Sequence, residues 1–199
     1  MAHGHGGPAT RPFPCESLRD AMTDKLALRA RLRAARDGFA RDGVIGVPEA
    51  FHARLRIGLV VSSYIPLGSE ADPVSFVDAA RAAGCALALP HVTTRTAPMR
   101  FLHWHADATL VAGPMGLLQP PADAPELRPD IVLTPLLGFD AAGNRLGQGA
   151  GFYDRAFAAH PDGWRIGIAW SVQRVDALVT DSWDVPLHAI ATETDWIVP

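Results

Sequence analysis

Residues Leu133 to Arg155 read L-T-P-L-L-G-F-D-A-A-G-N-R-L-G-Q-G-A-G-F-Y-D-R. The apolar run Ile131–Leu137 predicts a strand, and Phe152–Ala159 predicts a helix, so the glycines lie in a strand-to-helix junction. Glycines let the backbone approach a ligand closely, and a helix N-terminus offers unpaired N–H groups and a positive dipole end to an anion. On glycine count alone, a structural turn and a phosphate-binding loop fit this junction equally well.

The side chains that flank the glycines favour the phosphate site. The glycine spacing is neither that of a Walker loop nor that of the dinucleotide fingerprint. However, Arg145 supplies a planar, permanently charged fork for phosphoryl oxygens, and Asp154 supplies the hard oxygen ligand that Mg²⁺ prefers. The alternative for Asp154 is a first-turn helix residue favoured by the dipole, and for Arg155 an ion pair. The leading interpretation is a site for MgATP or phosphoryl transfer.

The segments outside this junction alternate between short apolar runs and helical patterns. Such alternation predicts a three-layer α/β fold, with a mostly parallel sheet and helices on both faces. The Gly- and Pro-rich stretch 113–129 predicts a loop. The predicted strands are Ile57–Tyr64, Cys85–Pro90, Met99–Trp104, Ile131–Leu137, Trp164–Trp170 and Ala189–Val198, and the predicted helices after the first are Val74–Ala83, Phe152–Ala159 and Val172–Val179.

The N-terminal part of the chain predicts a disordered leader followed by a basic helix. Residues 1–21 are rich in Gly and Pro without a hydrophobic period, so we expect one α/β domain over residues 22–199. Thr23 can cap a helix with an apolar stripe. Its second stripe is basic, and a solvated face is the simpler interpretation for Arg33 and Arg36. The basic residues are Lys25, Arg29, Arg33 and Arg36.

Composition limits the partners and the compartment. Eighteen Lys and Arg against 21 Asp and Glu give a formal charge of -3, which offers no global field for nucleic acid or an anionic membrane. Cys15 and Cys85 form neither a disulfide framework nor a zinc-ligand spacing. The apolar runs are shorter than the roughly 18 residues of a membrane span. We predict a cytoplasmic monomer that acts on small molecules.

The run Leu133–Arg155 closely resembles the signature block of the 5-formyltetrahydrofolate cyclo-ligases. Other blocks follow in the order of that family, and the resemblance covers roughly residues 23 to 195. These blocks are K-L-A-L-R at 25–29, Y-I-P-L-G-S-E-A-D-P at 64–73, the pair Met99 and Phe101, G-P-M-G-L-L-Q-P at 113–120, and W-D-V-P-L-H-A-I-A-T-E at 183–193.

The resemblance implies a Rossmann-like fold and the ATP-dependent cyclisation of 5-formyltetrahydrofolate to 5,10-methenyltetrahydrofolate. ADP and phosphate are released, ATP is the co-substrate, and Mg²⁺ is required. The catalytic residues implied are Arg145 and Tyr153. The ATP-binding residues implied are Lys25, Arg29, Arg145, Leu146, Gly147, Gln148, Gly149, Ala150, Gly151, Phe152 and Tyr153. The folate-binding residues implied are Glu70, Met99, Phe101, Gln119 and Tyr153, and the metal ligands are Asp154 and Asp184.

Departures from the family pattern leave alternatives open. Gln119 stands where the family has Glu, and Trp183 and His188 stand in the motif that elsewhere reads H-D-V-P-L-D. One alternative is therefore a family member that binds nucleotide and folate without turnover, and another is a cyclo-ligase for a different reduced folate. A third alternative is a metal-dependent hydrolase built on His103 and His105, which would lie on one face of a strand.

Overall fold

The computed structural model describes residues 15–40, 43–105 and 107–199. Helices and strands alternate along this part of the chain. The helices are α1 Cys15–Asp37, α2 Glu49–His52, α3 Val74–Ala82 and α4 Phe152–Ala159. The strands are β1 Val60–Ser62, β2 Ala86–His91, β3 Arg100–His103, β4 Val111–Ala112, β5 Leu118–Gln119, β6 Ile131–Pro135, β7 Gly138–Phe139, β8 Arg145–Leu146, β9 Trp164–Ile168, β10 Ala189–Ala191 and β11 Trp196–Ile197.

Seven of the strands form one sheet in the order β11-β10-β9-β6-β1-β2-β3. The five inner strands are parallel, and β11 and β3 are antiparallel at the two edges. Parallel strands buried on both faces are expected to be continuously apolar, as β6 is with Ile131, Val132 and Leu133. The mostly parallel sheet predicted from the sequence is thus confirmed.

Helices cover both faces of this sheet. Successive strand residues point to opposite faces, so Val132 and Leu133 enter different cores. Leu133 packs in the core that contains Phe76 of α3, and Val132 packs in the core that contains Phe157 of α4. The three-layer α/β arrangement predicted from the sequence is confirmed.

The segment after β9 is not the predicted helix Val172–Val179. Only a short 3-10 turn forms, at Ser171–Gln173. The following N–H groups bond to another part of the fold, since Val175 N donates to Phe139 O and Leu178 N donates to an Asp140 carboxylate oxygen. Tertiary hydrogen bonds therefore replace the helical ones, and an irregular segment runs on to β10.

The single C-terminal strand predicted over Ala189–Val198 is also wrong. The chain reverses after β10, and β11 returns antiparallel to it. Thr192 Oγ1 accepts hydrogen bonds from the backbone N–H groups of Thr194 and Asp195, which stabilises this turn.

Helix α1 begins at Cys15 rather than at Thr23 and packs beside β7. A Cβ on Gly138 would lie 2.5 Å from Leu32 Cδ1, so a larger residue here would force the Leu32 side chain to shift. The leader predicted for residues 1–21 lies outside the described residues over positions 1–14. None of the helices described here is long and apolar enough to cross a membrane.

Candidate active site

A cleft of about 520 Å³ opens at the carboxyl ends of the parallel strands. Ile65 follows β1, Val92 follows β2 and Leu136 follows β6, and all three line it. Open α/β sheets bind ligands at this edge, because the loops that leave the strands converge there. The cleft is therefore the candidate active site.

Most of the residues that the sequence predicted for the site line this cleft. They come from α1, from the segment after β1, from the segment before β3, from the glycine-rich junction and from the irregular segment before β10. The predicted residues in the lining are Lys25, Arg29, Glu70, Met99, Arg145, Leu146, Gly147, Gln148, Gly149, Ala150, Gly151, Phe152, Tyr153, Asp154 and Asp184.

Phe101 and Gln119 are the two predicted site residues that the structure does not bring to the cleft. Phe101 is 1% exposed and packs in the core beneath α4, edge-on to the ring of His160. The amide of Gln119 accepts from Val92 N at 3.1 Å and donates to Val92 O at 3.2 Å. This side chain joins β5 to the chain that follows β2, so its role in the structure is to hold that rim of the cleft.

The glycine-rich junction consists of two parts. Gly143 and Asn144 lie in the turn of the β7–β8 hairpin, where the Asp140 carboxylate accepts from Asn144 N and Asn144 Nδ2. Residues 147–151 form the loop that reaches α4, and we call them the glycine loop. Gly149 and Gly151 have φ of 98° and 66°, a backbone region in which glycine is favoured.

The glycine loop presents hydrogen-bond donors without acceptors. Among the backbone hydrogen bonds of the described residues, none is donated by an N–H group of the loop. Arg29 Nε donates to Gly147 O at 3.0 Å, so the carbonyl side is at least partly satisfied. Successive unpaired N–H groups beside a helix N-terminus form an anion-binding concavity. The loop therefore fits a phosphate group.

Arg145 lies in the wall of the cleft and is paired with Asp154. Its Nη2 lies 2.5 Å from Asp154 Oδ1, and the two side chains are 5% and 18% exposed. Its guanidinium carbon also lies 5.1 Å from the ring centroid of Phe157, in cation–π geometry. Arg145 Nε is buried without a hydrogen-bond partner. A buried donor of this kind is costly unless a ligand completes it, which again fits an anion in the cleft.

A second charged cluster joins α1 to the irregular segment before β10. Lys25 Nζ lies 2.5 Å from Asp181 Oδ2 and 3.8 Å from Asp184 Oδ2. Asp184 Oδ2 also accepts from Asp181 N at 2.7 Å, which fixes the orientation of the carboxylate. One ammonium group therefore lies between two carboxylates at the rim of the cleft.

Glu70 holds its carboxylate at the mouth of the cleft. It accepts from Leu67 N at 3.0 Å, and its side chain is 8% exposed and lies 3.7 Å from Arg36 Nη1. Arg36 is thus a buried partner of Glu70 and not the solvated residue expected of a helix surface. The other oxygen of Glu70, Oε1, accepts a long hydrogen bond of 3.5 Å from Gln148 Nε2. A carboxylate oxygen has two lone pairs, so Glu70 can also accept hydrogen bonds from the N–H groups of a heterocycle.

Two tyrosines near Glu70 remain neutral. Burial, and then the carboxylate of Glu70, raise the pKa of Tyr153 well above its ordinary value, while Arg145 acts in the opposite sense. Burial and Glu70 likewise raise the pKa of Tyr64, whose hydroxyl donates to Ala71 O at 2.5 Å. Both phenols therefore act as hydrogen-bonding groups and not as anions.

The metal ligands predicted from the sequence lie in the same cleft but in separate clusters. Asp154 pairs with Arg145, and Asp184 pairs with Lys25. Within the described ranges, no group of three or more His, Cys, Asp or Glu residues could hold a metal ion. Mg²⁺ commonly takes only one or two carboxylates and completes its shell with phosphates and water, so the donors here fit a metal that arrives with a nucleotide.

The histidines His103 and His105 contact each other at the end of the edge strand β3. Their ring centroids lie 4.3 Å apart in edge-on geometry, and neither residue lines the cleft. With no third ligand among the described residues, the pair offers no support for the hydrolase alternative.

Several residues of the site were not among the candidate site residues predicted from the sequence. Asp181 and the rim residues Leu178, Val179 and Trp183 lie in the segment that was predicted to begin as a helix. Trp183 is 67% exposed, and a large exposed aromatic at a cleft is typical of a binding rim. Only the spacing of Asp181 three residues before Asp184 could have indicated a second carboxylate here.

Comparisons with known proteins give one consistent result. The sequence model of the 5-formyltetrahydrofolate cyclo-ligase family matches residues 21–193. The 5-formyltetrahydrofolate cyclo-ligase of Escherichia coli is 32% identical over 139 residues, 66% of this chain and 76% of that protein. The protein of the same name from Mycolicibacterium smegmatis is 32% identical over 152 residues, 71% of this chain and 77% of that protein.

A solved structure shares the fold. The NMR structure of Aquifex aeolicus 5,10-methenyltetrahydrofolate synthetase superposes with a TM-score of 0.67 at 24% identity, covering 87% of this chain and 92% of that chain. The fold described above therefore belongs to an architecture that already has solved representatives.

Proposed function

The chain belongs to the 5-formyltetrahydrofolate cyclo-ligase family, and we propose that it converts 5-formyltetrahydrofolate to 5,10-methenyltetrahydrofolate with cleavage of ATP to ADP and phosphate. The observation that carries this proposal is the convergence of separate sequence blocks on one cleft. Lys25, Glu70, Met99, Arg145 and Asp184 come from five distant parts of the chain and line the same cavity.

The lining of the cleft suits the two substrates. Part of it presents Arg145, Lys25, Arg29 and the glycine loop, which together offer positive charge and N–H donors to the phosphates. Another part presents the apolar side chain of Met99 and the rim of the β4–β5 hairpin, on which a flat heterocycle can pack. The apolar rim residues there are Met115, Leu117 and Leu118.

The chemical task is to turn a formyl oxygen into a leaving group. In the proposed reaction the formyl oxygen attacks the γ-phosphorus, the bond to the ADP oxygen breaks, and a phosphorylated imidate forms. N10 then attacks the activated carbon and loses its proton, and phosphate leaves as the ring closes. Catalysis of such a transfer depends chiefly on positioning and on stabilisation of charge.

Each side chain has a defined part in that task. Arg145 would move its fork from Asp154 toward the transferred phosphoryl group, which also supplies a partner for its unpaired Nε. Glu70 would accept hydrogen bonds from the donor edge of the pterin, and neutral Tyr153 would border the same ring. The carboxylates Asp154 and Asp184 would hold Mg²⁺ together with phosphate oxygens. The metal ion, when bound, neutralises negative charge on the phosphates.

The alternatives that the sequence left open concern Gln119 above all. Because its amide is bonded to Val92 and does not line the cleft, the replacement of Glu by Gln leaves the charge of the cleft unchanged. This favours turnover of 5-formyltetrahydrofolate over the binder and over another reduced folate. A cytoplasmic monomer, with no nucleic acid or membrane partner, remains part of the proposal.

The direct test follows the absorbance of the conjugated methenyl product. Purified protein is mixed with 5-formyltetrahydrofolate in the presence of MgATP, of ATP with a chelator, or without nucleotide, the last because acid alone closes the ring. We expect product only with MgATP. Calorimetric binding of both ligands without product would select the non-catalytic binder, and turnover of another reduced folate alone would select the substrate alternative.

A further inference from the structure

Two arginines bind the glycine loop from outside the cleft. Arg95 Nη2 donates to Gly149 O at 3.4 Å, and Arg155 Nη1 donates to Ala150 O at 3.0 Å. Both arginines are exposed, and neither belongs to the lining of the cleft, which includes the loop itself. The carbonyls of Gly149 and Ala150 are therefore directed at two side chains that do not line the cleft.

The geometry of the peptide bond fixes where the neighbouring N–H groups point. A trans peptide is planar, and its C=O and N–H groups point in opposite directions. When the carbonyls of Gly149 and Ala150 are held outward, the N–H groups of Ala150 and Gly151 are turned toward the cleft. These are adjacent donors, and neither donates to a backbone acceptor among the described residues. Such a pair is the donor set of an anion-binding concavity.

Arg155 also bonds to the backbone of Arg95 and so joins two segments of the chain. Arg155 Nη2 donates to Arg95 O at 3.2 Å, so one guanidinium joins α4 to the segment between β2 and β3. That segment also carries Met99, which lines the cleft and is proposed to contact the folate. A Cβ on Gly151 would lie 3.2 Å from Arg155 Nη1, so a larger residue here would force the guanidinium to shift slightly. The same guanidinium group thus joins the glycine loop to the segment that carries Met99.

We propose that Arg95 and Arg155 form a clamp that positions the glycine loop for the nucleotide phosphates, an inference that rests on the proposed function. They are positioning residues, because they contact the loop and not the substrates. Their guanidinium groups satisfy two carbonyls that would otherwise be free to turn inward, where carbonyl oxygens would repel phosphate oxygens. Their positive charge also lies directly behind the donors that face the anion.

Calorimetric titration of the whole protein with ADP and Mg²⁺, and separately with 5-formyltetrahydrofolate, tests the clamp. We expect Arg95→Ala to weaken ADP binding by roughly 3- to 10-fold, as for loss of one hydrogen bond, and Arg155→Ala to weaken it more because it removes two. Arg95→Lys, which keeps one donor, should recover part of the affinity. The affinity for folate should change by less than about 2-fold. Arg81→Ala is the matched control, since Arg81 is exposed on α3 and pairs only with Asp78.

The outcomes separate the clamp from the function on which it rests. Unchanged ADP affinity in Arg95→Ala, or equal losses for ADP and folate, would overturn the clamp while leaving the cyclo-ligase proposal in place. Failure of the unaltered protein to bind ADP would overturn both. If Arg95→Ala does not fold, Arg95→Lys and Arg155→Lys are titrated against the unaltered protein instead. Unchanged ADP affinity in both variants, or equal losses for ADP and folate, would then overturn the clamp.

Discussion

Arg145 and Asp154 form an ion pair of 2.5 Å between Nη2 and Oδ1 in the wall of the cleft, nine residues apart across the glycine loop. The pair closes the loop at its two ends, because Arg145 precedes it in β8 and Asp154 lies in the first turn of α4. Each partner is also a predicted ligand of MgATP. We propose that the ion pair holds both groups in place until phosphate and metal compete for them.

Arg145→Ala should lower kcat by roughly 10²–10³-fold, the range for loss of one preorganised stabilising group. The variant also leaves Asp154 unpaired at the cleft, so its fold must be verified by circular dichroism before steady-state rates are compared. Arg128→Ala is the control, because Arg128 is exposed and pairs only with the exposed Asp162. A folded Arg145→Ala protein with near-normal turnover would remove Arg145 from the catalytic role.

Lys25→Met should raise the KM for MgATP by roughly tenfold or more and leave the KM for folate nearly unchanged. The methionine keeps the apolar stem but removes the charge, and hydrogen bonds to charged groups contribute about 1.5–3 kcal/mol. The variant also leaves Asp181 and Asp184 without their shared cation. Initial-rate kinetics in both substrates distinguish the two KM values, and an equal rise in both would contradict a role at the phosphates.

Local sequence features were sufficient to predict the glycine junction. The strand through Ile131–Pro135 and the helix Phe152–Ala159 agree with the sequence prediction, because buried apolar runs and glycines act over short distances. The irregular segment after β9 was predicted wrongly for the opposite reason. Its N–H groups bond to Phe139 and Asp140, which lie more than thirty residues earlier, and no local pattern records those acceptors.

The relative placement of α1 and the glycine loop could not be predicted by composition or periodicity. Arg29 Nε and Gly147 O are 118 residues apart in sequence and meet at 3.0 Å. This contact depends on the packing of α1 beside β7, where the Leu32 side chain lies against Gly138. The resemblance to the family implies that Arg29 binds ATP. The packing of α1 explains how the charge of Arg29 reaches the loop.

Gln119→Glu should lower the free energy of unfolding near neutral pH and change the KM for folate little. Gln119 is 5% exposed and its amide donates to Val92 O, a bond that an ionised carboxylate cannot make. Protonation restores the donor, so the loss, about 1–3 kcal/mol, should shrink as the pH falls toward about 5. Urea denaturation at two pH values measures this. Gln119→Ala, which lacks both bonds, should be destabilised at either pH, and a strongly improved folate KM in Gln119→Glu would show that the side chain reaches the substrate.

His188 should make the protein less stable in mild acid. Its Nδ1 lies 3.0 Å from Arg165 N, and its Nε2 lies 3.0 Å from Arg165 Nη2. Both ring nitrogens therefore face hydrogen-bond donors, and a protonated ring would point an N–H group at each of them. Burial, followed by the charges of Arg165 and Arg54, lowers the pKa of His188 below its ordinary value. The unfolded histidine titrates near about pH 6.5, so its contribution is complete above that pH and is lost as the pH falls through the lowered folded pKa.

Urea denaturation of His188→Asn between about pH 7.5 and pH 5 tests this contribution. Asparagine has an acceptor for Arg165 N but does not titrate, so the variant should lose less stability than the unaltered protein over this range. His103→Asn is the control, since His103 contacts His105 at the edge of the sheet and should leave the pH dependence intact. If the free energy of unfolding falls equally with pH in the unaltered protein and in His188→Asn, the acid sensitivity arises from another group. Turnover at pH 7.5 should be unaffected in both variants, because neither histidine lines the cleft.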